Sequence, residues 1–213
     1  MAYAGPECTA ALQLFIATKN EQDARRFNKL LWPQLDTVFI RNIATAARAI
    51  PYMHHEYRTG LEKYVLQYKD QLEKLNQQNP YGVLVGTRGW AGDHELVSWS
   101  IANYYLNKYY PTLIGREYVL KGLNYIFGCH PYSNISFVAG VCTHSKKRSY
   151  GHNRADFSFI AGGVVPGVLL LKPDFLENKE DWPFLWGENE CVIDICADYV
   201  FLANAVNDVL NSK

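Results

Sequence analysis

Apolar side chains recur along this chain at intervals of three and four, the spacing that lines one face of an α-helix, and no convincing alternating pattern of a sheet accompanies them. The periodicity predicts a helix over 7–17 (Ala10, Ala11, Leu14, Phe15). A second starts at Asn20 or Glu21 and runs through Ala24, Phe27, Leu30 and Leu31 until Pro33 interrupts it. A third covers 38–50, ahead of Pro51. A long amphipathic helix is expected over 57–77, with Leu61, Tyr64, Val65, Tyr68 and Leu72 on one face. Two more follow at 94–109 and 114–127, separated by Pro111. A last helix at 189–210 is apolar on most faces, which places it inside its parent fold. Six or seven helices in hairpin-like succession make the expected fold class all-α.

Two stretches break the pattern. Residues 79–92 turn to Gly, Pro and Arg, and 128–186 carry short apolar runs among repeated Gly and Pro. A loop of that length inside a compact domain is usually functional. The 213 residues carry 21 Lys and Arg against 21 Asp and Glu, a net charge of zero, so the basic footprint of most nucleic-acid binders is missing. No run is long and apolar enough to cross a membrane, and no targeting signal is read in the chain. The five cysteines are odd in number and contain no Cys-x-x-Cys pair, so free thiols are expected rather than a zinc site or a disulfide framework.

The chemistry-bearing residues gather in the long loop and at the start of the last helix. His152 and Arg154, two apart, share one side of an extended chain and can bind vicinal hydroxyls or a carboxylate; they can equally be a surface pair. Asp181 and Glu190 flank Trp186. Glu190 is expected to open the last helix, half desolvated, which raises a carboxyl pKa toward general-acid use, whereas the helix N-terminus favours the anion. Asn189-Glu190 also reads as ordinary capping. His54-His55 and Cys142-x-His144 look like metal-ligand fragments without further ligands, so no metal and no cofactor is expected. The segment 161–167, with Gly162 and Gly163, reads as a set of tight turns rather than a phosphate loop.

In order, these residues resemble the C-terminal part of glycoside hydrolase family nine, the cellulase-type enzymes. Trp90-Ala91-Gly92-Asp93 is similar to the family's Trp-Gly-Ser-Asn turn before a helix, and Tyr125-Ile126-Phe127-Gly128-Cys129-His130-Pro131 to its helix-ending Tyr-Leu-Leu-Gly-x-Asn-Pro. Ser136-Phe137-Val138-Ala139-Gly140 resembles Ser-Tyr-Val-Thr-Gly, His152-x-Arg154 the active-site His-x-Arg, and Ala161-Gly162-Gly163 stands where the family has a Gly-Gly-Pro turn. Asp181, Trp186, Glu190 and Ala197 fall at the family's Asp, aromatic, catalytic Glu and small-residue spacing. The likeness covers 82–210 by motif and the earlier helices by pattern.

The resemblance implies an (α/α)6 toroid of helical hairpins and an inverting O-glycosyl hydrolase acting on β-linked glucan or a related polysaccharide. It implies Glu190 as general acid, Asp181 as a supporting carboxylate, and His152 and Arg154 as sugar-binding residues. Tyr81, Trp90, Tyr150 and Trp186 are the candidate sugar-facing rings. The family's base sits in an N-terminal Asp-x-Gly-Asp, a motif that does not occur in these residues. A twelve-helix barrel takes on the order of twice this length. The expectation is therefore a single C-terminal portion, 1–213, of a larger catalytic domain, with helices over 7–77 and substrate-site loops and helices over 78–213. It would be an expressed piece with an added Met1, inactive alone, partnered by its N-terminal remainder and prone to self-association through uncovered apolar faces. The parent is expected to be secreted or periplasmic by resemblance. The chain departs from the family at Lys179 (aromatic expected), Val192 (small), Cys196 (Asn), Cys142 (Gly) and Gly151 (Pro). A non-catalytic carbohydrate-binding or scaffold module on the same helices is the alternative. A helical-repeat interaction module is a third reading, without a recurring period to support it.

Overall fold

The structure is a computed structural model and describes residues 5–84, 92–130, 134–147, 159–167 and 190–212. Among the described residues there are seven α-helices: α1 Gly5–Thr18, α2 Glu21–Leu35, α3 Phe39–Ala49, α4 His55–Gln78, α5 Gly92–Tyr109, α6 Glu117–Ile126 and α7 Ile193–Asn211. A 3-10 turn, Ile50–Tyr52, follows α3. By contact density the chain divides into two units, Met1–Asp70 with Tyr105–Ile114, and Gln71–Tyr104 with Gly115–Lys213.

In the first unit α1 and α2 form a hairpin, with α3 packed against both. The reversal is tight: the Lys19 amide donates to Phe15 O, and the Asn20 side chain caps α2 by accepting the Gln22 amide at 2.8 Å. Pro33 does not end α2, contrary to the sequence expectation, and the helix continues to Leu35. The ring falls in the last turn, so only the final residues lie beyond the missing donor. Leu12, Phe27, Leu31, Ile43 and Leu61 are fully buried and form the centre of this core. Tyr57 ties α4 to α3 by donating its hydroxyl to Ala46 O at 2.8 Å.

The second unit contains the glycine-rich loops. Helix α6 stops at the phrase singled out in the sequence. Gly128 takes φ +107°, and the Cys129 amide reaches back to Asn124 O at 3.0 Å, so the last carbonyls find donors. The helix begins later than its periodicity suggests, because Leu113 and Ile114 both donate to Tyr110 O in a separate turn. On α5, Ser100 faces Gly122 of α6 so closely that a Cβ there would stand 2.9 Å from Ser100 Cβ. Beyond α6, Ser136, Phe137, Val138 and Ala139 are buried in extended chain with backbone partners on both sides. The Ser136 amide donates to His144 O and the Lys146 amide to Ser136 O, while the Ala139 amide donates to Gly163 O and the Val165 amide to Phe137 O. Isolated bridges between described residues pair Ser136 with Ser145 and Val138 with Val164.

Candidate functional site

The starts of α5 and α7 and the 159–167 turn meet in the second unit. The turn is built on glycine: Gly163 donates to Ile160 O at 2.9 Å, and Gly162 between them takes φ +77°. This matches the tight-turn reading of the segment. Its far end holds α5, since the amides of Gly92 and Asp93 donate to the carbonyls of Gly167 and Pro166. Those carbonyls satisfy two of the donors that a helix N-terminus leaves open. Its middle holds α7, since the Val164 amide donates to Cys196 Sγ at 3.5 Å and a Cβ on Gly163 would meet Cys191 Sγ at 3.0 Å.

Glu190 lies on the approach to α7. It is half-buried, and it does not open the helix as the sequence suggests: α7 begins at Ile193, after an extended Val192 that makes no side-chain cap. Glu190 therefore lies ahead of the first turn, and Asn189 lies outside the described residues. The acidic residue of the first turn is Asp194, whose carboxylate accepts the Ile195 amide at 2.9 Å. The charge around the helix start comes from a group that the sequence motifs do not mark. His94 on α5 stands 3.8 Å from the Asp194 carboxylate, and Asp198 lies one turn further along α7. Partial burial raises the Asp198 carboxyl, His94 lowers it and Asp194 raises it. Asp194 and Asp198 at i and i+4 were the legible signal; their pairing with His94 needed the fold.

Asp93 is the other unexpected feature. Its side chain is completely buried, and neither carboxylate oxygen has a hydrogen-bond partner. Burial holds its carboxyl well above the ordinary range, with nearby Lys146 acting in the opposite direction.

Of the sequence candidates, Asp181, His152, Arg154, Trp90, Tyr150 and Trp186 lie outside the described residues. The described flanks of the segments that carry them are nevertheless local to one another: Gly92 bonds to Gly167, and Gly163 abuts Cys191, the neighbour of Glu190. Tyr81 is half-buried and packs edge-on to Tyr125, with ring centroids 5.9 Å apart. Cys142 and His144 line a cleft of about 410 Å³ with Phe127, Gly128, Cys129, Asn134 and Thr143. Among the described residues no three His, Cys, Asp or Glu side chains are grouped to hold a metal ion, and no helix is long and apolar enough to cross a membrane.

No protein-family model matches the sequence, and no curated protein matches it. Solved structures do. The chain is similar to Bacteroides ovatus GH9 with a TM-score of 0.74 and 21% identity, over 97% of this chain and 40% of that one. It is similar to AaCel9A, solved in complex with cellobiose-like isofagomine, with a TM-score of 0.70 and 18% identity, over 92% of this chain and 42% of that one. The fold is thus all-α and that of part of the (α/α)6 barrel of these structures, in line with the resemblance read from the motifs. The chain spans about two fifths of their length.

Proposed function

We propose that the chain is one C-terminal portion of an inverting glycoside hydrolase that cleaves β-glycosidic bonds in a glucan or related polysaccharide, with Glu190 as the general acid. The observation that carries the proposal is the match of 97% of the chain to a GH9 structure, on a sequence whose motifs follow that family's order. AaCel9A was solved with a cellobiose-like isofagomine bound, and that complex supports a β-linked sugar as ligand here.

In this reading the Glu190 carboxyl protonates the departing glycosidic oxygen. A second carboxylate, across the sugar ring at about 6.5–9.5 Å, takes a proton from the attacking water. That base belongs to the part of the barrel that this chain does not span. Asp181 supports the acid, His152 and Arg154 bind hydroxyls beside the scissile bond, and Trp90, Tyr150 and Trp186 offer ring faces to the sugar. Glu190 is half-buried on the approach to α7. The exposed apolar edge of α7, with Ile193 88% exposed and Ala197 and Val200 beside it, is assigned to contact with the remainder of the barrel.

The second reading is a carbohydrate-binding module that has lost turnover. Cys196 favours it: it stands where the family resemblance expects Asn, and its sulfur is engaged by the Val164 amide. The test is hydrolysis of a panel of β-linked oligosaccharides by the full-length protein and its Glu190→Gln variant. Gln keeps the shape and has no proton to give, so a loss of at least about 100-fold in kcat is expected. Sugar binding without turnover by both proteins would leave the binding module as the better account. Robust turnover by the isolated 213 residues would overturn the assignment of the base to the remainder.

A further inference from the structure

Two of the five thiols face each other. Cys191 Sγ and Cys196 Sγ are 3.6 Å apart, the first on the extended approach to α7 and the second in its opening turn. Both are held against the same backbone: Cys191 beside Gly163, and Cys196 under the Val164 amide. A disulfide needs its sulfurs at about 2.05 Å, so closure has to bring these two nearer by roughly 1.5 Å. Both residues are half-buried, so a small solute has access, whereas Cys8 is buried in the other unit.

We propose that Cys191 and Cys196 are a reversible dithiol–disulfide site that exchanges with low-molecular-weight disulfides such as oxidised glutathione. One protein thiol gives its proton to solvent and attacks a glutathione sulfur, forming a mixed disulfide and expelling one glutathione thiolate, which takes up a proton. The second protein thiol is then deprotonated and attacks the protein sulfur of that mixed disulfide, expelling the second glutathione. Two protein thiols are oxidised and one disulfide is reduced to two thiols. Burial, followed by the contact with Cys196, pushes the Cys191 thiol up to about 12, so attack by Cys191 is slow at neutral pH and accelerates in alkali. The bond would clamp the backbone next to Glu190 onto α7. The site stands on the two sulfurs alone and holds whether or not Glu190 is an acid catalyst.

The test treats the 213-residue chain with oxidised glutathione, alkylates the remaining thiols, digests with trypsin and weighs the pieces. No Lys or Arg lies between Lys179 and Lys213, so 180–213 stays whole with both cysteines, while Cys129 and Cys142 fall together in 122–146. The expected result is a 180–213 piece lighter by two hydrogens and without alkyl groups. Dithiothreitol before alkylation should return it to two alkyl groups, and Cys196→Ser should abolish the two-hydrogen loss. The proposal is overturned if 180–213 keeps two alkylatable thiols after oxidation, or stops at a glutathione adduct that never closes.

Discussion

The carboxylate of Asp93, at the start of α5, lies directly against Gly167: a Cβ on that glycine would stand 2.6 Å from Asp93 Oδ2. The Asp93 amide meanwhile donates to Pro166 O, so helix start and loop are locked backbone to backbone. Gly167 adopts φ +61°, which only glycine takes without strain. Gly167→Ala therefore combines left-handed strain with a collision against a fixed acidic side chain. Gly162 serves as the internal control, with φ +77° and nothing within 4 Å of its added Cβ. Gly162→Ala should cost about 1–2 kcal/mol from strain, and Gly167→Ala about 1–3 kcal/mol more, read from urea denaturation midpoints. Equal losses would show that the Asp93 contact is not a rigid one.

Asp93 also predicts a pH dependence. Its folded-state carboxyl is raised by burial, so between its unfolded and folded pKa values the native state holds a proton that the unfolded chain has released. The unfolded state binds fewer protons there, and stability falls as pH rises through that window; below the ordinary carboxyl range the penalty disappears. Asp93→Asn removes the titration. Its thermal midpoint should vary less with pH than that of the parent, and the variant should gain stability relative to the parent on going from acid to neutral pH. Identical pH profiles would mean that Lys146 neutralises the carboxylate in the fold.

The helices were legible because each buries one face, and that stripe is written locally at 3.6-residue spacing. Asn20 before α2 and Gly128 after α6 mark their ends by short-range chemistry. What escaped the sequence depends on partners far along the chain. Glu190 resembles a helix cap until Cys191 is seen beside Gly163, which keeps the approach extended and delays α7 to Ile193. The pairing of 136–139 with two other segments is too short to write an alternation. Burial of Asp93 is set by 166–167 and Lys146, none of them neighbours in sequence. Glu190 is a candidate from its expected place at the start of an apolar helix and from motif order; the fold moves it to the approach, ahead of Ile193.

Gly122 tests how closely α5 and α6 approach. By propensity, Gly122→Ala in the middle of α6 should stabilise by up to about 1 kcal/mol. The contact reverses the sign: the new Cβ would lie 2.9 Å from Ser100 Cβ and 3.0 Å from Leu96 Cδ2, and closer still to the Ser100 hydroxyl. A net loss of about 1–3 kcal/mol is expected. Ser100→Ala by itself should be neutral or mildly stabilising, because the buried hydroxyl it removes has no hydrogen-bond partner. Combined with Gly122→Ala it should recover part of the loss, a coupling that a double-mutant cycle reads directly.

Tyr57 makes the corresponding test in the first unit. Its buried hydroxyl donates to Ala46 O, so Tyr57→Phe should cost about 1 kcal/mol at neutral pH. In alkali the comparison changes. Burial first, then Cys8 and Tyr110, raise the Tyr57 phenol far above its ordinary value of 10.0. Above that ordinary value the unfolded chain releases a proton that the folded chain retains, so the parent loses stability steadily as pH rises. Phe has no proton to release. The stability gap between parent and Tyr57→Phe should therefore narrow from about pH 10 upward. Urea denaturation at neutral pH and at two alkaline pH values checks it; a constant gap would mean that the Tyr57 hydroxyl is open to water.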